Sequence, residues 1–145
     1  MLGFLRRKKT SKLENELVKT DARLALMKAQ LAAEMVQLAG QTSDIAPLKQ
    51  AEEAISAARN YYTFETTPVE IGLVQVALGD MLTKLGREKS DKSAFPRAKT
   101  AYRAAITLAS LHGDDTLRAE LRTKVKRVES LMGAGSKTPS LFRAA

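Results

Sequence analysis

Three places in this 145-residue chain carry side chains suited to proton transfer: the single histidine, His112, and the adjacent acidic pairs Glu52-Glu53 and Asp114-Asp115. Imidazole titrates near neutrality and is the usual general base. His112, however, precedes Gly113 at an expected helix end, where a partial positive charge suits the helix dipole. Neighbouring carboxylates diverge on a helix or serve as caps, so neither acidic pair makes an acid–base couple. The chain has no cysteine, which excludes a disulfide scaffold, a thiol nucleophile and any cysteine-based zinc or iron–sulfur site. One histidine excludes a multi-histidine metal centre. No phosphate-cradling glycine loop, nucleophile elbow or metal-ligand spacing is present in the sequence. The expectation is a protein without catalysis, metal or cofactor.

The charges are more informative. There are 24 Lys and Arg against 16 Asp and Glu, a net charge of +8. The excess is uneven: residues 1–12 carry +5, residues 13–83 carry −5, residues 84–110 carry +5 and residues 111–145 carry +3. At the N-terminus, Leu2, Phe4 and Leu5 precede Arg6, Arg7, Lys8 and Lys9. Shallow insertion of the apolar residues with basic neighbours suits an anionic membrane surface. The same run also suits a solvated, solubilising start. The second basic stretch is Lys84, Arg87, Lys89, Lys92, Arg97, Lys99 and Arg103. It suits an acidic protein surface or a phosphate backbone. Aromatic residues are only 5% and tryptophan is absent, which argues against a base-stacking module. A basic nucleic-acid-associated protein is therefore the alternative, and an acidic protein partner the expectation.

The N-terminal order, apolar before basic, reverses that of a secretory signal. No apolar run approaches the ~18 residues of a membrane span. A cytoplasmic protein is expected, with the inner face of the membrane as its one place of peripheral contact.

Helical periodicity dominates the chain. Leu13, Leu17, Leu24, Leu31 and Leu38 recur at four or seven residues, predicting one inward helix face. That helix is expected over 11–39, opened by a capping box at Ser11 and Glu14 and closed by Gly40. The flanking column Leu13, Thr20, Met27, Glu34 is half polar, so packing within one domain is expected in place of a dimeric coiled coil. A second helix is expected over 45–62, with Asp44 as cap and Pro47 in its first turn. A third is expected over 68–85, capped by Thr67 and Glu70 and closed by Gly86. A fourth is expected over 94–112, closed by Gly113, and a fifth over 116–132, capped by Asp114 or Asp115. Residues 1–10 are expected as a basic tail and 133–145 as a flexible one. No convincing strand pattern occurs, so the fold class is all-α.

Shifting the sequence by 47 residues superposes the first two helices on the next two. Leu31 falls on Leu78, Ala32 on Gly79, Met35 on Leu82 and Leu38 on Leu85. Ser43-Asp44 falls on Ser90-Asp91, Leu48 on Phe95, Ala51 on Ala98 and Ala54 on Ala101. Small residues at Ala32/Gly79 and Ala51/Ala98 permit close helix approach, and large ones fill the space beside them. The expected architecture is two antiparallel helix hairpins and a C-terminal capping helix, stacked as a short solenoid. Arg118, Arg122 and Lys126 suit the solvated face of that last helix.

Leu78-Gly79 with Leu82 resembles the first-helix motif of the tetratricopeptide repeat family, and Ala98, Tyr102 and Ala105 resemble its second-helix motif. The stretch 67–108, with LGREKSD as the joint, resembles a bacterial variant with a lengthened loop. The chain lacks the family's early tryptophan and closing proline. The resemblance implies a partner-binding adaptor whose concave face is built from the first helix of each pair. It assigns that face to Ala29, Ala33 and Gln37 in the first unit and to Val76, Asp80 and Lys84 in the second. With the basic residues Arg87, Lys92 and Arg97, these are the expected partner-binding positions.

Overall fold

The computed structural model describes residues 2–63 and 66–133, with side chains from Lys12 onward. Five α-helices make up the described fold, and no strand occurs among the described residues. They are α1 (Leu2–Thr42), α2 (Ala46–Ala58), α3 (Val69–Glu88), α4 (Ala94–Leu111) and α5 (Asp115–Gly133). A single 3-10 turn, Arg59–Tyr61, prolongs α2. Consecutive helices pack along one another: α1 on α2, α3 on α4 and α4 on α5, with α1 also against α3.

Local cap and glycine signals at Ser11, Gly40, Thr67 and Gly86 do not act as the sequence predicts. α1 begins at Leu2, so Ser11 lies inside the helix and the proposed capping box does not form. Residues 2–10 continue the same helix. At 41 residues α1 is about 60 Å long. Gly40 and Gly86 are also internal to their helices, which end two residues later. Gly86 serves close packing, whereas Gly40 faces only the flexible end of Met81. A Cβ on Gly86 would lie 2.8 Å from the Ala94 Cβ, and one on Gly40 the same distance from the Met81 Cε. Thr67 does not cap α3 either. Its hydroxyl donates to the Thr63 carbonyl at 2.7 Å, and Pro68 occupies the cap position with extended backbone. Pro47 sits in the first turn of α2 as expected.

Three helices end in one construction. The amide of Asp44 donates to Ala39 O, that of Asp91 to Gly86 O and that of Asp114 to Ala109 O. Each is the long bond of a Schellman motif, with Ser43, Ser90 and Gly113 in the left-handed position. The aspartates then open the next helix. Asp44 Oδ1 accepts from the Ala46 amide at 3.0 Å, Asp91 Oδ1 from the Ser93 amide at 3.0 Å, and Asp114 Oδ1 from the Leu117 amide at 3.0 Å. The Ser93 hydroxyl also donates to Asp91, and this bond holds the carboxyl below its usual range. Thus the 47-residue spacing of Ser43-Asp44 and Ser90-Asp91 recurs in backbone geometry.

The core runs from Ala29 to Val128 as one cluster. Gly79 lies in it against the Tyr102 ring, where an added Cβ would sit 2.6 Å from Cε1. The close approach expected of Ala32/Gly79 and Ala51/Ala98 is observed, since Ala32, Gly79, Ala51 and Ala98 are all buried. The inward leucine face of α1 is not. Among the described residues, the buried side chains of α1 are Ala25, Ala29, Ala32, Val36 and Ala39. Leu13, Leu17, Met27, Leu31 and Leu38 are exposed, and Leu24 is half-buried. Alanines form the contact because they let the α1 axis come close to α2 and α3.

Candidate functional site

A polar groove lies between α3 and α5, floored by α4. It is a groove of about 540 Å³ lined by Asp80, Thr83, Lys84, Arg87 and Glu88 of α3, Tyr102 of α4, and Lys124, Arg127 and Val128 of α5. The helical period puts Asp80, Lys84 and Arg87 on one side of α3, three and four residues apart. On α5 the buried positions Leu121, Val125 and Val128 turn Lys124 and Arg127 toward the rim.

Asp80 organises the floor. Its Oδ1 accepts from the Tyr102 hydroxyl at 2.6 Å and from Lys124 Nζ at 2.8 Å. Lys124 Nζ also stands 5.8 Å from the centroid of the Tyr102 ring, within cation–π range. Burial pushes the Tyr102 hydroxyl well above the usual phenol range, and the bond it donates to Asp80 pushes in the same direction. The tyrosine is therefore a fixed donor. Thr83 turns its hydroxyl onto the Gly79 carbonyl at 2.8 Å.

One cation is satisfied by this arrangement and three are not. Lys84, Arg87 and Arg127 have no ion-pair partner among the described residues. Glu88 is the second acidic group of the lining, so four cations face two anions. Exposed guanidinium and ammonium groups beside a fixed phenol suit anionic groups, carboxylate or phosphate. No group of three or more His, Cys, Asp or Glu is placed to hold a metal among the described residues.

The sequence-expected positions divide. Asp80, Lys84 and Arg87 meet in the groove. Val76 is half-buried and packs against the core, so it is not a groove contact. Ala29 is buried in the core, a correction to its expected place on a binding face. Ala33 and Gln37 are exposed on α1 outside the groove lining, and Lys92 is exposed in the α3–α4 turn. Arg97 belongs to another side of the molecule. Its Nε donates to Glu52 Oε1 at 2.7 Å, tying α4 to α2. Grouping it with Lys84 on grounds of sequence proximity does not hold, because the intervening turn reverses the chain. Leu2, Phe4, Leu5, Arg6, Arg7, Lys8 and Lys9 have side chains outside the described residues. No helix among the described residues is long and apolar enough to cross a membrane. His112 is exposed at the C-terminal cap of α4, as its dipole argument expects.

Sequence reasoning missed Lys124, Arg127 and the polar use of Tyr102. Tyr102 is at once a core residue and the donor to Asp80. The signal for the α5 pair was its placement beside the apolar positions Leu121, Val125 and Val128, which sets both residues on the shoulder of a buried stripe.

No family model, curated relative or solved structure matches this chain.

Proposed function

We propose that the chain is a non-enzymatic interaction module, built on tetratricopeptide-like helix pairs, whose α3–α5 groove takes an acidic segment of a partner protein. The observation that carries this reading is the set Lys84, Arg87 and Arg127, exposed around the Asp80–Tyr102–Lys124 cluster without ion pairs of their own. The resemblance noted in the sequence supports it too. In that family the first helix of each pair contributes to the binding face, and α3, the first helix of the second pair, carries Asp80, Lys84 and Arg87 of this groove.

The mechanism is display. The bonds of Asp80 to Tyr102 and Lys124, with the buried flanks of α3 and α5, fix the floor and the backbone from which Lys84, Arg87 and Arg127 project, so only these side chains are ordered on binding. Charge complementarity speeds encounter and makes it salt-sensitive.

Fluorescence anisotropy with a labelled Glu- and Asp-rich peptide tests this. Binding is expected at low salt and is expected to weaken steeply as salt rises. Lys84→Glu with Arg127→Glu weakens it at least about tenfold, whereas Arg103→Ala on the outer side of α4 leaves it unchanged. Equal binding by the double variant, or preference for duplex nucleic acid over the peptide, overturns the reading.

A further inference from the structure

The exposed leucine face of α1 has a counterpart inside the molecule. At the 47-residue spacing, Leu24, Met27, Leu31 and Leu38 correspond to Ile71, Val74, Leu78 and Leu85 of α3. All four α3 residues are buried, Leu78 and Leu85 to 2% and 1% exposure. Their α1 equivalents Leu31 and Leu38 are 42% and 41% exposed, and Met27 is 65% exposed. In α3 this stripe belongs to the core that α1 and α2 complete, whereas on α1 no helix among the described residues covers it. The stripe extends up the free half of α1 through Leu17 and Leu13, both exposed.

We infer that a second copy of this chain covers the stripe, through antiparallel pairing of the two α1 helices. The flanking charges select both partner and direction. In a parallel pair, Glu16 meets Asp21 of the other copy and Arg23 meets its Lys28, five residues on in each case. Glu34 also meets its own copy across the seam. All of these are like-charge contacts. An antiparallel pair crossing between residues 25 and 26 places Leu24 on Met27 and Leu13 on Leu38 of the other copy. It sets Thr20 against Leu31 and the Glu34 stem against Leu17, and it brings Asp21 beside Lys28 twice. None of Glu16, Asp21, Arg23 and Lys28 has an ion pair within the chain among the described residues, so these charges are free for the contact.

The geometry leaves room for the rest of each copy. At 100° per residue the stripe lies about 120° round α1 from its buried alanine face. The 13 residues of α2 return along the C-terminal half of α1, so the two α2 helices stand at opposite ends of the pair.

Sedimentation equilibrium of the full chain, with a distance measurement between spin labels, tests the inference. The wild-type chain dimerises with rising concentration. Met27→Glu with Leu38→Glu, both at exposed sites, gives a monomer with unchanged far-ultraviolet circular dichroism. Asp21→Lys weakens the dimer roughly tenfold, because it sets lysine against Lys28, and adding Lys28→Asp restores it. A parallel pair responds in the opposite sense to Asp21→Lys, which places a lysine near Glu16. Labels introduced by Asn15→Cys, free of background because the chain has no cysteine, lie more than about 30 Å apart in the antiparallel dimer. A wild-type monomer at every concentration, a shorter label distance, or a stripe that instead binds phosphatidylglycerol vesicles while the chain stays monomeric overturns the inference.

Discussion

Ser43 and Ser90 stand 47 residues apart and hold the same left-handed backbone, φ 51° and φ 54°. Each follows the last turn of a long helix, and each is followed by an aspartate that opens the next one. At the third such turn the residue is Gly113, φ 70°, which adopts this region without a Cβ clash.

Ser43→Gly and Ser90→Gly are therefore expected to stabilise the fold. Relief of left-handed strain is worth about 1 kcal/mol per site, less the entropy glycine adds to the unfolded chain. Chemical denaturation of the single and double variants checks the gain and its additivity.

Gly79→Ala is expected to destabilise by about 1–3 kcal/mol, because the new Cβ would meet the Tyr102 ring inside contact distance. Gly133→Ala is the control, since a Cβ there meets nothing within 4 Å. An unchanged melting curve for Gly79→Ala would refute the tight α3–α4 contact.

Tyr102 makes stability depend on alkaline pH. Its folded hydroxyl titrates above the unfolded value of about 10, so the unfolded chain loses that proton first. Stability from this group is full below about pH 10 and declines as pH rises beyond it. Tyr102→Phe removes that decline. It also costs about 1 kcal/mol near neutrality through the lost bond to Asp80. In an ultraviolet titration, one of the three tyrosines is expected to resist ionisation until the chain unfolds.

Arg97→Ala separates scaffold from groove. The Arg97–Glu52 pair is about one-third exposed on each side, so its loss costs less than about 1 kcal/mol and less still in high salt. Peptide binding in the groove is expected to stay unchanged, because Arg97 is on another side of the molecule.

The helices, their order and the duplicated turn were legible because each depends on local chemistry. Asp44 and Asp91 bond amides only two residues away, and the small residues at Ala32 and Gly79 mark close approach wherever they occur. The facing of α1 was not legible. Hydropathy ranks Leu31 above Ala32, but the contact selects the residue whose Cβ allows the neighbouring axis to come near. The groove was half legible for a related reason. Asp80, Lys84 and Arg87 share one helix and one period. Lys124 reaches Asp80 across 44 residues of sequence, a distance that only the packing of α5 closes.

The equivalence of the Ser43-Asp44 and Ser90-Asp91 turns makes each aspartate a member of two helices at once. Its amide closes the helix behind it through the Schellman bond, and its carboxylate opens the helix ahead. Chain reversal at these joints is therefore coupled: a change that frees the aspartate loosens the end of one helix and the start of the next together.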